Sequence, residues 1–210
     1  MNQIQTSSLN ELSSYFDIYN KIDLTFLDTD INKIQYYLYK YKDHNYNSFC
    51  TLQSHVNKVY DDNIKDITAI IGYPFSDTVK IDKNTLQKCN TIELWLDYSR
   101  VYRDSKKLYK VIRSVVLKCH AYGVKTRVVT ELKKLNNDKI KEFLSVCYDA
   151  KADSIQTGYG LTYLDRNWIP ELADKIGSEF EIKAVGGINS IEEAERITKM
   201  GADIIGSSTI

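Results

Sequence analysis

Residues 180–207 read FEIKAVGGINSIEEAERITKMGADIIGS, and this stretch decides the fold class. FEIKAV (180–185) is a short apolar and β-branched run that reads as a strand. Asn189 and Ser190 open a helix with Glu192 and Glu193 in its first turn and Lys199 in its last. That charge order complements the helix dipole, and Gly201 follows as a stop. DIIGS (203–207) is a second strand. Two strands joined across a helix run parallel, because the chain must cross back over the sheet.

The same alternation extends towards the N-terminus. IDLTFL (22–27), SFCTL (48–52), ITAIIGY (67–73), TIELWLD (91–97), KTRVVTE (125–131) and DSIQT (153–157) complete a set of eight predicted strands. Helix periodicity is clearest from Ser105 to Tyr122, with Leu108, Val111, Ile112, Val115, Val116 and Cys119 on one stripe before Gly123. A second helix is predicted over Asn137–Ala150, with Ile140, Phe143, Leu144 and Cys147 inward. Eight strand–helix units predict an α/β fold, a closed (β/α)8 TIM barrel, with a doubly wound open sheet as the rival. The sequence stops at Ile210, directly after the eighth strand. The last helix is therefore expected to be missing or replaced. The segment Leu9–Tyr19 would cover that flank, or a second copy or another protein would, or the sequence is cut short. With Pro74 and Pro170 as the only prolines and no linker, residues 1–210 read as a single domain.

Composition narrows the function classes. With 28 basic and 28 acidic side chains interspersed along the chain, the net charge is zero. That leaves no basic excess for a nucleic-acid backbone. No apolar run approaches a membrane span, and the N-terminus lacks the pattern of a secretory signal. Cys50, Cys89, Cys119 and Cys147 are scattered, as are His44, His55 and His120. This reads as buried reduced thiols of a cytoplasmic protein, with no metal site and no cofactor. The tyrosine-rich stretch Tyr36, Tyr37, Tyr39 and Tyr41 reads as packing and surface side chains.

In a barrel of this kind the active site lies at the C-terminal ends of the strands. Side chains on one strand face recur at every second residue, so polar residues on apolar strands are informative. The first strand offers Asp23 and Thr25, and the fourth carries Glu93, Trp95 and Asp97 on one face. The fifth carries Lys125, Arg127, Val129 and Glu131, the sixth Ser154 and Gln156, and the seventh Lys183. Lys183 stands between Ile182 and Ala184, so it is expected to be buried. A buried ammonium is either paired or has its pKa lowered. Lys183 reads either as a catalytic or ligand-binding lysine or as half of an ion pair with Glu93 or Glu131. Gly158-Tyr159-Gly160, Gly186-Gly187 and Gly206-Ser207-Ser208 follow successive predicted strands. Such turns either present backbone N–H groups to a phosphate or are ordinary tight turns.

At these residues the sequence resembles the deoxyribose-phosphate aldolase family of class I, lysine Schiff-base aldolases. Asp23-Leu24-Thr25 is similar to the family's first-strand Asp-x-Thr, Phe49-Cys50 to its second strand, and Gly72-Tyr73-Pro74 to its Gly-Phe-Pro turn. Arg127 to Glu131 resembles its fifth strand. Lys183-Ala184-Val185-Gly186-Gly187-Ile188 is close to its Lys-Ala-Ser-Gly-Gly-Ile, and Gly206-Ser207-Ser208 to its closing motif. The departures fall on the chemistry. Gln156 stands where the family carries its Schiff-base lysine, and a carboxamide cannot form an imine. Leu161 aligns with a phosphate-contacting lysine, and Trp95 with a catalytic Asp that Asp97 would replace.

The resemblance implies aldol or retro-aldol chemistry on a small phosphorylated sugar or aldehyde. It gives Lys183, Asp97, Glu93, Arg127 and Asp23 as catalytic candidates. It gives Gly160, Gly186, Gly187, Gly206, Ser207 and Ser208 as the phosphate site, with Cys50, Trp95, Gln156 and Glu131 completing the pocket. Three readings follow. In one, Lys183 is the nucleophile, its pKa lowered by desolvation and by Arg127, with Asp97, Glu93 or Asp23 moving protons. In another, Lys183 and Arg127 stabilise an enolate without an imine. In the third, the chain is a catalytically inactive phosphosugar-binding or interaction protein.

Overall fold

The computed structural model describes residues 18–73 and 79–210. The strands form where the alternation placed them, most of them a residue or two shorter. They are β1 (Ile22–Phe26), β2 (Ser48–Leu52), β3 (Ile67–Ile71), β4 (Thr91–Trp95), β5 (Lys125–Val129), β6 (Ser154–Gln156), β7 (Glu181–Val185) and β8 (Ile204–Ser207). Each pairs in parallel with the next, and β8 pairs with β1, so the sheet closes into a barrel. Eight α-helices surround it among the described residues. These are α1 (Ile34–Asp43), α2 (Val56–Asp61), α3 (Lys83–Lys88), α4 (Ser99–Arg103), α5 (Ser105–His120), α6 (Asn137–Ala150), α7 (Trp168–Ile176) and α8 (Ile191–Lys199). None is long and apolar enough to cross a membrane.

Strand residues of one parity face the helices. Ile22, Leu24, Phe49, Ile67, Ile92, Leu94, Val128, Ile155, Ile182 and Ile205 join one buried cluster with Ile34, Leu38, Ile112, Val116, Phe143, Leu172 and Ile197 from the helices. Each such side chain contributes about 1.5–3 kcal/mol on burial, so this shell holds the barrel closed. The other parity points inward and builds the site.

No helix follows β8, and the loop between β4 and β5 supplies two, α4 and α5. The final residues pack against α1 and the segment that leads from it into β2. Tyr46 donates its hydroxyl to the Ile210 carbonyl at 2.8 Å, and Lys40 Nζ donates to the Thr209 carbonyl at 2.7 Å. The segment Leu9–Tyr19, expected as a cover, lies outside the described residues except for Ile18 and Tyr19, and so does Pro74.

Helix α8 begins as the sequence reading places it. The Ser190 hydroxyl accepts the Glu193 N–H at 3.2 Å, and the Glu193 carboxylate accepts the Asn189 N–H at 3.2 Å, a reciprocal cap. Ser190→Ala is expected to lower the unfolding free energy by about 1 kcal/mol. The change should appear as a lower urea midpoint at unchanged slope, whereas Lys199→Ala on the exposed last turn leaves the midpoint in place.

Candidate functional site

The inward residues of β1, β4, β5 and β7 meet at the centre of the barrel. Lys183 Nζ lies 2.8 Å from Asp23 Oδ2 and 2.7 Å from Glu93 Oε1. Arg127 Nη1 reaches the same two oxygens, at 2.8 and 3.0 Å. Two cations and two anions thus form a quartet in which every charge touches two of opposite sign. All four residues are at most 2 % exposed. The remaining polar atoms are also engaged. Asp23 Oδ1 accepts from Asn47 at 2.6 Å and Ser48 at 2.7 Å. Arg127 donates to Ser154 at 3.1 Å and Glu181 at 3.3 Å.

This arrangement corrects the expectation that Lys183 has a lowered pKa. Burial does disfavour its charged form, but the carboxylates of Asp23 and Glu93 more than offset that, and the pKa rises above the ordinary lysine value. The same cations hold the Asp23 and Glu93 carboxyls below the usual carboxylate range against their own desolvation. Lys183 is ion-paired, with Glu93 and Asp23 as its partners. Glu131 stands elsewhere, accepting the Tyr159 N–H at 3.3 Å and the Thr162 hydroxyl at 3.4 Å.

An apolar layer occupies the barrel interior beside the quartet. Cys50, Leu52, Ile70, Trp95, Val129 and Tyr159 pack as one cluster. The Trp95 indole donates to Glu93 Oε2 at 3.3 Å, and its ring meets Tyr73 and Tyr159, each at 5.3 Å between centroids. Cys50 Sγ is 3.7 Å from Lys183 Nζ, and burial pushes its thiol well above the ordinary value, which leaves it a core residue. Gln156 donates to the Gly158 carbonyl at 2.7 Å, and its buried carbonyl oxygen has no partner among the described residues.

Asp97, named as a stand-in for the family's acid, lies outside the quartet. Strand β4 ends at Trp95, and the chain then turns into α4. There the Asp97 carboxylate accepts the Ser99 N–H at 2.9 Å and shapes that turn.

A cavity of about 420 Å³ opens at the C-terminal end of the barrel. All six candidate phosphate-site residues line it: Gly160, Gly186, Gly187, Gly206, Ser207 and Ser208. Trp95 and Val185 line it too, but none of the quartet does. Gly206 lets the two regions sit this close. A Cβ there would meet Val185 Cγ1 at 2.6 Å and Lys183 Cε at 2.7 Å. The Ser207 hydroxyl is engaged within its own turn: it donates to the Ile188 carbonyl at 2.8 Å and accepts the Thr209 and Ile210 N–H groups. Its role is to fold the closing turn. Leu161 also lines the cavity and is 69 % exposed. Asp28 and Lys33, in the segment after β1, also line it and were not among the candidates. An Asp-rich exposed loop carries no periodicity signal that would have marked them.

The fold defines a (β/α)8-barrel protein. In sequence the chain is 27 % identical over 174 residues to the deoxyribose-phosphate aldolase of Streptococcus pyogenes serotype M12, covering 78 % of this chain and 77 % of that one. It is 25 % identical over 219 residues to the deoxyribose-phosphate aldolase of Mycoplasmopsis pulmonis, covering 95 % and 93 %. In structure it is similar to the tetrameric deoxyribose phosphate aldolase of Aeropyrum pernix, with a TM-score of 0.81 at 19 % identity over 100 % of this chain and 94 % of that one. The N-acetylmannosamine-6-phosphate 2-epimerase of Clostridium perfringens shares the fold less closely, with a TM-score of 0.64 at 13 % identity over 92 % and 89 %. No protein-family model matches. The chain is a divergent relative of the deoxyribose-phosphate aldolases, linked to them in sequence at low identity and in fold.

Two outcomes are expected from the quartet. Lys183→Met leaves two carboxylates against one guanidinium and should destabilise the fold by about 3–5 kcal/mol in urea denaturation. The pH dependence has two edges. Asp23 and Glu93 are depressed from ordinary values of 3.8 and 4.5, so the stability they contribute is present above those values and lost as pH falls through the folded ones. Lys183 is raised from 10.5, so its contribution is full below 10.5 and lost as pH rises through the folded value. Unfolding free energy should decline at both edges, with the acid decline shallower in Glu93→Gln. A wild-type profile flat into strong acid would contradict the assignment.

Proposed function

We propose that the chain binds a small phosphorylated sugar or aldehyde in the cavity at the barrel mouth and forms no imine with it. At the level of the family, the relationship to deoxyribose-phosphate aldolases supports an aldolase-like, lyase-type role. The interior of this chain favours a reading in which the ligand niche persists and the Schiff-base step has been lost. The observation that carries it is the state of Lys183. Its nitrogen is held by two carboxylate oxygens at 2.7 and 2.8 Å, its side chain is 1 % exposed, and it is not among the residues that line the cavity at the barrel mouth.

Imine formation needs a neutral amine with room for an incoming carbonyl. An ammonium clamped between two anions meets neither requirement, and Gln156 offers no substitute. The enolate-stabilising alternative meets the same obstacle. Arg127 and Lys183 already spend their charge on Asp23 and Glu93, and a developing oxyanion would have to displace one of them. The grouping of Gly160, Gly186, Gly187, Gly206 and Ser208 around one cavity supports retention of a phosphorylated ligand.

Two measurements test this reading. Deoxyribose phosphate at a hundredfold excess over its Kd is expected to stabilise the fold by about 2.7 kcal/mol. That raises the melting temperature, while unphosphorylated deoxyribose has no effect. Incubation with a small aldehyde and borohydride should then leave the intact mass unchanged. An adduct mapped by peptide mass to Lys183 would overturn the proposal and establish imine chemistry instead.

A further inference from the structure

We propose that Lys33 supplies the positive charge that holds the ligand's phosphate, and that Asp28 keeps this lysine parked at the cavity mouth until the ligand arrives. The inference rests on the reading that the cavity takes a phosphorylated molecule. It adds the residue that makes such binding electrostatically workable.

Among the described residues, the cavity lining contains one cation, Lys33, and one anion, Asp28. Other sources of positive potential nearby are already engaged or absent. Leu161, on the loop after β6, brings an apolar side chain to the lining. The N-terminus of α8 is closed by its own cap, with the Asn189 N–H held by Glu193 at 3.2 Å and the Glu193 N–H held by Ser190 at 3.2 Å. The Ser207 hydroxyl is committed to the Ile188 carbonyl at 2.8 Å. Ser208 lines the same cavity and is exposed. A phosphate monoester carries close to two negative charges at neutral pH and binds most strongly through charge-assisted hydrogen bonds. Among the lining residues, only Lys33 can provide one from a full charge.

Its position is built rather than incidental. Lys33 ends a short 3-10 turn, Ile31–Lys33, whose N-cap Asp30 accepts the Asn32 N–H at 3.0 Å. Asp28 Oδ1 accepts the Asp30 N–H at 2.9 Å, and Asp28 Oδ2 accepts from Lys33 Nζ at 2.7 Å. The lysine and aspartate side chains are 61 % and 38 % exposed. An ion pair this open is weak, so a dianion beside it can take the ammonium from the carboxylate. Asp28 is then a competitor of the ligand, and removing its charge strengthens binding.

Titration calorimetry with deoxyribose phosphate separates the possibilities. Lys33→Met is expected to raise Kd about tenfold or more and to flatten its dependence on added salt. Asp28→Asn is expected to lower Kd several-fold. Placing the charge on the opposite wall, in Lys33→Met with Leu161→Lys, is expected to recover most of the lost affinity. These are exposed positions, and unchanged melting temperatures of the unliganded variants would establish that each is folded. If the wild type binds and Lys33→Met binds equally well, or Asp28→Asn weakens binding as Lys33→Met does, this inference is wrong and the ligand class stands. If the wild type does not bind deoxyribose phosphate at all, the ligand class falls and this inference falls with it.

Discussion

Asp23 Oδ2 and Glu93 Oε1 each accept from both Lys183 and Arg127, and the barrel interior is arranged around that sharing. Moving four ions out of water costs several kcal/mol per ion. The cost is offset only when each charge has close opposite neighbours and the leftover lone pairs and protons find partners. Both conditions hold here. Asn47 and Ser48 complete Asp23, Trp95 completes Glu93, and Ser154 and Glu181 complete Arg127. Taking one member out of such a network leaves an uncompensated buried charge and is severely destabilising.

The same network constrains what surrounds it and what chemistry is left. Glycine at 206 makes space for the stem of Lys183. The indole of Trp95 both satisfies Glu93 and fills the volume where a substrate would need to descend. With Lys183 held between two carboxylates, which raise its pKa, the barrel divides into a polar, buried centre and a separate cavity at its mouth. That division connects the low-identity relationship to aldolases with the absence of an imine-forming lysine at position 156.

Much of this was legible in the sequence, and the exceptions have identifiable causes. Short apolar runs alternating with helical stripes placed every strand and the main helices, because the two periodicities answer to burial on one side. Lys183 declared its burial through Ile182 and Ala184, and Glu93 was visible as a partner. Asp23 was not paired with it, since β1 and β7 lie on either side of β8 and a reach across an intervening strand leaves no trace in the sequence. The expected fall in the lysine pKa failed for the same reason: it counted Arg127 and desolvation but not two carboxylates together. Asp97 misled because the pattern in TIELWLD runs on past Trp95, while the Asx-type turn at Asp97 ends the strand there. The glycine turns after β7 and β8 were visible as one cavity wall, whereas the internal partners of the Ser207 hydroxyl have no trace in sequence.

The central claim is that the amine of Lys183 stays protonated through neutral pH and well into the alkaline range. Nitrogen-15 NMR of the lysine-labelled protein, titrated from pH 7 upward, reads that directly. The account predicts a slowly exchanging ammonium signal for Lys183 that persists beyond 10.5, where ordinary lysines titrate. A signal that converts to the neutral amine near pH 7–8 would contradict it, and would return Lys183 to the role of a poised nucleophile.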